Sequence, residues 1–387
     1  MNIINAEIHT ATNGIISSGF VEFEQGLITK IGEMKDYHGQ SDAVDAKGAL
    51  LLPGFIDAHC HLGMWEDGLG FEGDDGNEDT DPVTPHLQAV DAINPLDHCF
   101  EEAARNGITT VVTGPGSANP IGGQMAAIKT YGKRIDDMLL QAPVAIKMAL
   151  GENPKGCYHG KNQTPSTRMA TAAIIREQLQ KAARYLADLE KSKSDPESDA
   201  PSYDAKCEAL LPLLKNKVKA HIHAHRADDI FTAIRLAKEF QFDYVLIHCT
   251  EGHLIAQELA KERCKVVVGP ILSDRSKPEL RNATTANAAI LEKAGVMFSL
   301  CTDHPVIPIQ YLPLSAVICG ADGLTREKAL RAVTIDAARI IEQEDKIGSI
   351  EVGKHADFAL YRRDPITNYE RPLLVFVNGQ QVKYLIF

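Results

Sequence analysis

Residues 51–61 read LLPGFIDAHCH. An apolar run, GFID, gives out into a His-x-His pair, His59 and His61, with Asp57 two residues before it. Side chains along an extended strand alternate between its two faces, so Asp57, His59 and His61 share one side of the backbone. A buried strand that ends in two histidines on one face suits the mouth of a barrel, where side chains from successive strand ends converge. Alone the pair says little, because the chain carries 14 histidines and such spacing arises by chance. The segments that follow it decide the reading.

Seven more apolar runs lie downstream: ITTVVT (108–113), MAAIKTY (125–131), VAIKMAL (144–150), KVKAHIH (217–223), DYVLIH (243–248), CKVVVG (264–269) and VMFSLCT (296–302). With LLPGFID (51–57) they make eight strands. Helical stretches fall between most of them: DHCFEEAARNG, TRMATAAIIREQLQKAARYLADLEK, DDIFTAIRLAKEF and HLIAQELAKER. In the third, Ile230, Phe231, Ile234 and Ala237 recur at helical spacing. Near-continuous apolar strands alternating with amphipathic helices predict an α/β fold, a parallel (β/α)8 TIM-type barrel with its functional groups at the C-terminal strand ends. A doubly wound open sheet is the alternative, since periodicity does not show closure.

The two ends of the chain have a different character. NIINAEIHT, NGIIS and GFVEFEQGLITKIGE at the start, and IGSIEVGKHADFALY and LLVFVNGQQVKYLIF at the finish, are short alternating runs punctuated by Asn-Gly and Gln-Gly turns. They predict a small β-sandwich domain formed by both termini, 1–52 and 347–387, around a barrel of 53–346. Two segments interrupt the pattern. Residues 66–81, EDGLGFEGDDGNEDTD, read as a solvated acidic loop rather than a substrate lid, and residues 190–206 as a surface insertion.

Further strand ends carry metal-ligand chemistry. KAHIHAHRADDI sets His221, His223 and His225 on one face; because a metal would lie beyond the strand end, His223 is favoured as ligand, with His225 beside it and His221 deeper. VLIHCTEGH places His248 at the same level, followed by His253, and FSLCTDHPVIP ends the eighth strand in Asp303. Imidazole and carboxylate donors suit one or two divalent ions, zinc first, with manganese, iron or cobalt as alternatives. Such an ion acidifies water and polarises a carbonyl, so hydrolysis is the expected chemistry.

Forty Lys and Arg against 52 Asp and Glu give a net charge of -12, which disfavours nucleic acid and anionic membrane as partners. A small-molecule substrate is expected, and a homo-oligomer is left open. Eight cysteines are scattered without C-x-x-C spacing, as reduced thiols of a cytoplasmic protein would be.

Taken together, LLPGFIDAHCH, HIHAHRADDI, VLIHCTEGH, CTDHPVIP, GSIEVGKHADFALY and VFVNGQQV resemble the amidohydrolase superfamily over nearly the whole chain, close to its imidazolonepropionase-like and prolidase-like members. The resemblance implies that His59 and His61 bind the more buried metal, that His223 and His248 come from the fifth and sixth strands, and that Asp303 handles the proton of the attacking water. For the bridging position on the fourth strand it offers two residues: Lys147, carboxylated, as in prolidase-like members, or Glu152, as in adenine deaminases. Glu152 is preferred, because it emerges where the strand ends whereas Lys147 sits mid-strand. His225, Arg226 and Asn119, with Arg275, are candidates to hold substrate, guanidinium pairing naturally with a carboxylate. The implied activity is hydrolysis of a carbon–nitrogen bond in an amide, cyclic amide or peptide-like small molecule. Deamination of a heterocycle such as a purine is the second reading, and a catalytically silent barrel used for assembly the third.

Overall fold

The computed structural model describes residues 1–39, 43–66 and 70–383, and in it the ends and the middle of the chain pair separately. Part of the acidic loop, residues 67–69, and the last four residues of the final predicted strand segment lie outside the described residues. Strands β1 (Asn2–His9), β2 (Ile15–Glu24), β3 (Leu27–Glu33), β4 (Val44–Asp45) and β5 (Leu50–Pro53) open the chain. Strands β14 (Phe358–Tyr361), β15 (Leu374–Val377) and β16 (Gln380–Gln381) close it. All eight join one hydrogen-bonded sheet in the order β16-β15-β14-β5-β1-β2-β3, with β4 beside β1. Ile3, Ile8, Val21, Phe23, Leu51, Phe358 and Phe376 form its own buried apolar cluster. It is a single continuous sheet by its backbone pairing.

Eight inner strands are present, the expected first one divided so that Leu50–Pro53 belongs to the terminal sheet and only its continuation joins the barrel: β6 (Phe55–Cys60), β7 (Ile108–Thr113), β8 (Ile121–Lys129), β9 (Leu139–Ala149), β10 (Lys219–Ala224), β11 (Tyr244–His248), β12 (Lys265–Val268) and β13 (Met297–Leu300). They lie side by side in chain order. The expectation of an all-parallel (β/α)8 barrel needs correction, because β8 runs antiparallel to both β7 and β9. The reason is connection length. Residues 114–120 carry no helix, and residues 130–138 carry only the four-residue α2 (Ile135–Met138), after α1 (His98–Arg105) earlier in the chain. A parallel crossover needs a dozen or more residues, usually a helix. Beyond β9 the connections do contain helices: α3 (Glu152–His159), α4 (Arg168–Ser194) and α5 (Ala205–Leu214), then α6 (Ala227–Phe240), α7 (Ala256–Lys261) and α8 (Asn287–Ala294), one connection each for the last three. There the strands are parallel.

Register fixes which face points inward. His221 pairs with Lys147 and Val245, Ile247 with Val267, and Val267 with Ser299. Val245, Ile247 and Val267 cluster with Ile56, Ala58 and Val112 from the opposite wall, so this is the interior. The alternate residues, Ile222, Leu246, Val266 and Phe298, pack outward with the helices. The ring nearly closes where β13 returns to β6. There Asp57, fully buried, accepts hydrogen bonds at Oδ2 from the Thr302 backbone N–H (2.9 Å) and hydroxyl (2.6 Å), and at Oδ1 from the His59 N–H (3.1 Å). The His61 N–H donates to the His304 carbonyl across the same seam (2.9 Å). A buried ion pair, Lys129 to Asp357, ties β8 to the terminal sheet. Removing one partner of such a pair leaves an uncompensated buried charge, at about 3–5 kcal/mol.

Candidate metal centre

Two groups of metal-competent side chains stand at the C-terminal strand ends, His59, His61 and Asp303 in one, His223, His225 and His248 in the other, the ligand atoms in each within 4.8 Å of one another. In the first, Asp303 Oδ1 lies 3.2 Å from His61 Nε2 and 3.6 Å from His59 Nε2. His61 Nδ1 is hydrogen-bonded to the Gly114 carbonyl (2.7 Å), and Trp65 meets the same ring edge to face at 4.9 Å. An imidazole anchored through one nitrogen presents the other, the arrangement that orients metal-binding histidines.

The second group is anchored in the same way. His223 Nδ1 meets the Ser117 hydroxyl (2.8 Å), His225 Nδ1 the Thr250 hydroxyl (2.7 Å) and His248 Nδ1 the Gly269 carbonyl (2.8 Å). His223 Nε2 is buried with no hydrogen-bond partner, as a nitrogen awaiting an ion would be. His248 reaches this group against the strand pattern. It is paired in register with Ala224 and Val268, both on the helix-facing side. Strict alternation would therefore aim it outward. Its φ of +72° breaks the alternation and turns the ring inward, to ring-centroid distances of 4.5 Å from His223 and 5.5 Å from His59. Asp303 has a φ of +55°. A left-handed conformation at a non-glycine residue stores about 1 kcal/mol and persists where the surroundings impose it, typically at functional sites.

Beside the first group stands Lys147, fully buried, with Nζ 3.0 Å from His59 Nε2. The structure places Glu152, the residue preferred from sequence, apart from both ligand groups. β9 ends at Ala149, Gly151 turns with a φ of +85°, and Glu152 becomes the first residue of α3. Its carboxylate lies by the Glu279 N–H (3.4 Å), in neither ligand group. Lys147 is mid-strand, but its four-carbon arm supplies the reach. His221 lies one register step below His223, level with Lys147. His225 stands within the second ligand group itself, not merely beside it.

Two expected substrate contacts are engaged elsewhere. Arg226 forms a two-point pair with Asp228 (2.9 and 2.8 Å) on the outside of α6. Asn119 is buried, donating to the Glu78 carbonyl and Thr84 hydroxyl and accepting from the Tyr158 hydroxyl, so it ties the β7–β8 connection to residues 78–84 and to α3. His253 turns back onto the Thr250 carbonyl (3.2 Å). Both ligand groups open into one cavity of about 610 Å³, walled by Trp65, Asn77, Ser117, Asn153, Thr250 and Ile271, with Arg275 and Lys277 among its lining. Asn77 brings the acidic segment into that wall. Trp65, Asn77, Ser117, Thr250 and Glu279 were not singled out from sequence. Only Ser117 and Thr250 carried a signal, as hydroxyls in loops that leave strand ends.

The electrostatics suit cation binding. Burial pushes His59, His223 and His225 well below the usual imidazole range, and takes His221 to about 3 and His248 to about 4. Neutral imidazoles are the form that coordinates a metal. Burial alone would raise Asp303, but His248 and the hydrogen bond from His61 outweigh it and hold the carboxyl at about 2. Burial lowers Lys147 to about 8, so about a tenth of it is neutral at pH 7, far more than for an ordinary lysine. The donor set therefore fits divalent ions. The eight cysteines are all free thiols, and no helix among the described residues is long and apolar enough to cross a membrane.

The amidohydrolase family model matches residues 50–382. An amidohydrolase from Thermotoga maritima MSB8, of known structure, is 41% identical with a TM-score of 0.94, 99% of each chain being covered. Amidohydrolase tasK of Hapsidospora irregularis is 28% identical over 93% of this chain, which spans 39% of that protein's length. Imidazolonepropionase of Fusobacterium nucleatum subsp. nucleatum is 24% identical, with 90% of this chain and 86% of that protein covered.

Proposed function

Because the chain belongs to the amidohydrolase family, we propose that it is a metal-dependent hydrolase of a carbon–nitrogen bond in an amide, cyclic amide or peptide-like small molecule. The observation that carries this reading is that the His59, His61 and Asp303 group and the His223, His225 and His248 group both open on a single cavity, with Lys147 buried against His59. His59, His61 and Asp303 would hold one divalent ion, zinc first among the candidates, and His223, His225 and His248 a second. Lys147 would serve both as a carbamate: its neutral amine adds carbon dioxide, releasing one proton and gaining two carboxylate oxygens. Bound there, the metal supplies Lewis acidity that polarises the scissile carbonyl and lowers the pKa of the attacking water.

The chain's own residues do the rest. Asp303, unprotonated, accepts the proton of the attacking water and returns it to the leaving nitrogen. Ser117 and Thr250 orient the rings of His223 and His225, and the Gly269 carbonyl, which only accepts, holds His248 in the Nδ1–H tautomer that leaves Nε2 to coordinate. Arg275 and Lys277 on the cavity wall offer cationic partners to a substrate carboxylate. The relative named imidazolonepropionase makes cyclic amides the first compounds to try.

The test is a panel of N-acyl amino acids, dipeptides and cyclic amides, scored for new amine and carboxylate, with ammonia release measured in parallel on purines. Hydrolysis that chelation abolishes, and that Asp303→Asn lowers by about 10²–10⁴-fold with metal retained, is the expected result. Full turnover in Asp303→Asn would sink the scheme. Ammonia released from a heterocycle, without amide cleavage, would move the chain to deamination.

A further inference from the structure

Resting on that metal-dependent reading, we propose that Glu279 supplies a further acidic ligand, on the His223 and His225 side, to the ion that the His223, His225 and His248 group would hold together with the Lys147 carbamate. Glu279 comes from the loop after β12, on the sequence KPEL, and is 1% exposed. An ionised carboxyl is not buried to that degree without strong compensation. One oxygen is accounted for: Oε2 accepts the Glu152 backbone N–H at 3.0 Å. The other, Oε1, faces the imidazoles, 3.5 Å from His225 Nε2 and 3.9 Å from His223 Nε2.

Those distances are informative. A hydrogen bond between these atoms would be about 2.7–3.2 Å. Two neighbouring ligands about 2.1 Å from the same ion stand about 3.0–3.6 Å apart, according to the angle between them. Oε1 and the imidazole nitrogens are spaced as neighbouring ligands rather than as bonded partners. The Nδ1 anchors at Ser117, Thr250 and Gly269 leave the three Nε2 atoms free for the same centre. Lys277 Nζ also lies 2.7 Å from Oε1, and donates to Asn153 at 2.7 Å. A lysine a quarter exposed does not by itself call for a carboxylate withdrawn this far from water, whereas an ion held by three imidazoles does.

The turn at Gly151 sets the carboxylate. A Cβ there would lie 3.0 Å from Glu279 Oε2 and from Asp229 Oδ2, so the close approach that lets Glu152 donate its N–H belongs to glycine. Glu152, the residue first considered as a ligand, thus holds the ligand proposed here through its backbone.

The probe is cobalt(II) alone, titrated into metal-free full-length protein, read by visible absorption and by bound metal per chain after gel filtration. Wild type should take up two equivalents. Glu279→Gln should weaken one by about 100-fold or more, beyond the 10- to 100-fold typical of residues that only orient ligands, and leave the other unchanged. Lys277→Met should retain both. Glu279→Asp keeps the charge on a shorter arm, so it should also lose the spectrum of the weakened site. Unchanged cobalt affinity in Glu279→Gln, or full affinity in Glu279→Asp, overturns the assignment while leaving the metal-dependent reading intact. Wild type that binds no cobalt overturns both.

Discussion

Replacing Thr302 by Val tests the seam that closes the barrel and holds the two halves of the first ligand group in register. The substitution keeps shape and the backbone N–H but removes the hydroxyl that donates to Asp57 Oδ2 at 2.6 Å and accepts from the His304 N–H at 3.2 Å. A hydrogen bond to a charged group contributes about 1.5–3 kcal/mol and one to a neutral group about 0.5–1.5 kcal/mol. Burial raises the Asp57 carboxyl to about 7, against its ordinary 3.8, with the Thr302 bonds pulling the other way. Its own ionisation therefore opposes folding: stability fully present below the unfolded pKa is lost as pH rises through the folded one. The Thr302 hydroxyl limits that loss, so its removal matters most where Asp57 is charged. Adding about 1 kcal/mol for the His304 N–H, the expected destabilisation is about 3 kcal/mol at pH 8.5 and about 2 kcal/mol at pH 5.5. At ~2.1 cal/mol/K per residue, a chain of 387 residues unfolds with about 0.8 kcal/mol/K of entropy, so Tm should fall by about 4 °C and about 2.5 °C respectively. Scanning calorimetry of metal-free wild type and variant at both pH values resolves this. An equal fall at both, or none, would refute Asp57 as the ionising acceptor across the seam.

Two other predictions bear on the second ligand group. Ser117→Ala removes the partner of His223 Nδ1 and should weaken metal binding by about 10- to 100-fold with Tm of the metal-free protein little changed, as competition against a chromogenic chelator would report. His221, buried and held at about 3 in the fold, gains its proton near 6.5 only when unfolded, so metal-free protein loses stability as pH falls below 6.5. By pH 5 that loss is about 2 kcal/mol. His221→Asn, which does not titrate, should flatten the fall in urea midpoint between pH 6.5 and 5 by that amount; an unchanged slope would mean another group carries it.

The eight inner strands were legible because each is a buried run too apolar and too short to be anything else, ITTVVT and KVVV among them. Strand direction was not, since an apolar run reads the same to either neighbour. The information lay in the connections instead: residues 114–120 leave no room for a crossover helix, and β8 is accordingly antiparallel to β7. The terminal segments likewise announced strands by their Asn-Gly and Gln-Gly turns, but how such strands pair depends on partners hundreds of residues away, as Phe358 opposite Pro53 illustrates.

Within the site, the residues that follow alternation were the readable ones. His59 and His61, His221 and His223, and Ser299 through Cys301 to Asp303 each keep one parity along a strand, so a pattern of two places them together. His248 was assigned to the site by its position at a strand end, although its parity points to the helices; only a φ of +72° brings it in. Lys147 sits mid-strand, yet its four-carbon arm carries Nζ to His59, whereas Glu152, at the strand end in sequence, is carried into α3 by the turn at Gly151. Glu279 had no pattern at all, since it belongs to a loop whose approach to His225 depends on that same turn. The departures from alternation, at His248 and Gly151, are both backbone conformations with positive φ at strand ends. A period-two reading finds the strands that carry ligands. The last turn of the backbone, which the period does not encode, decides which side chains meet.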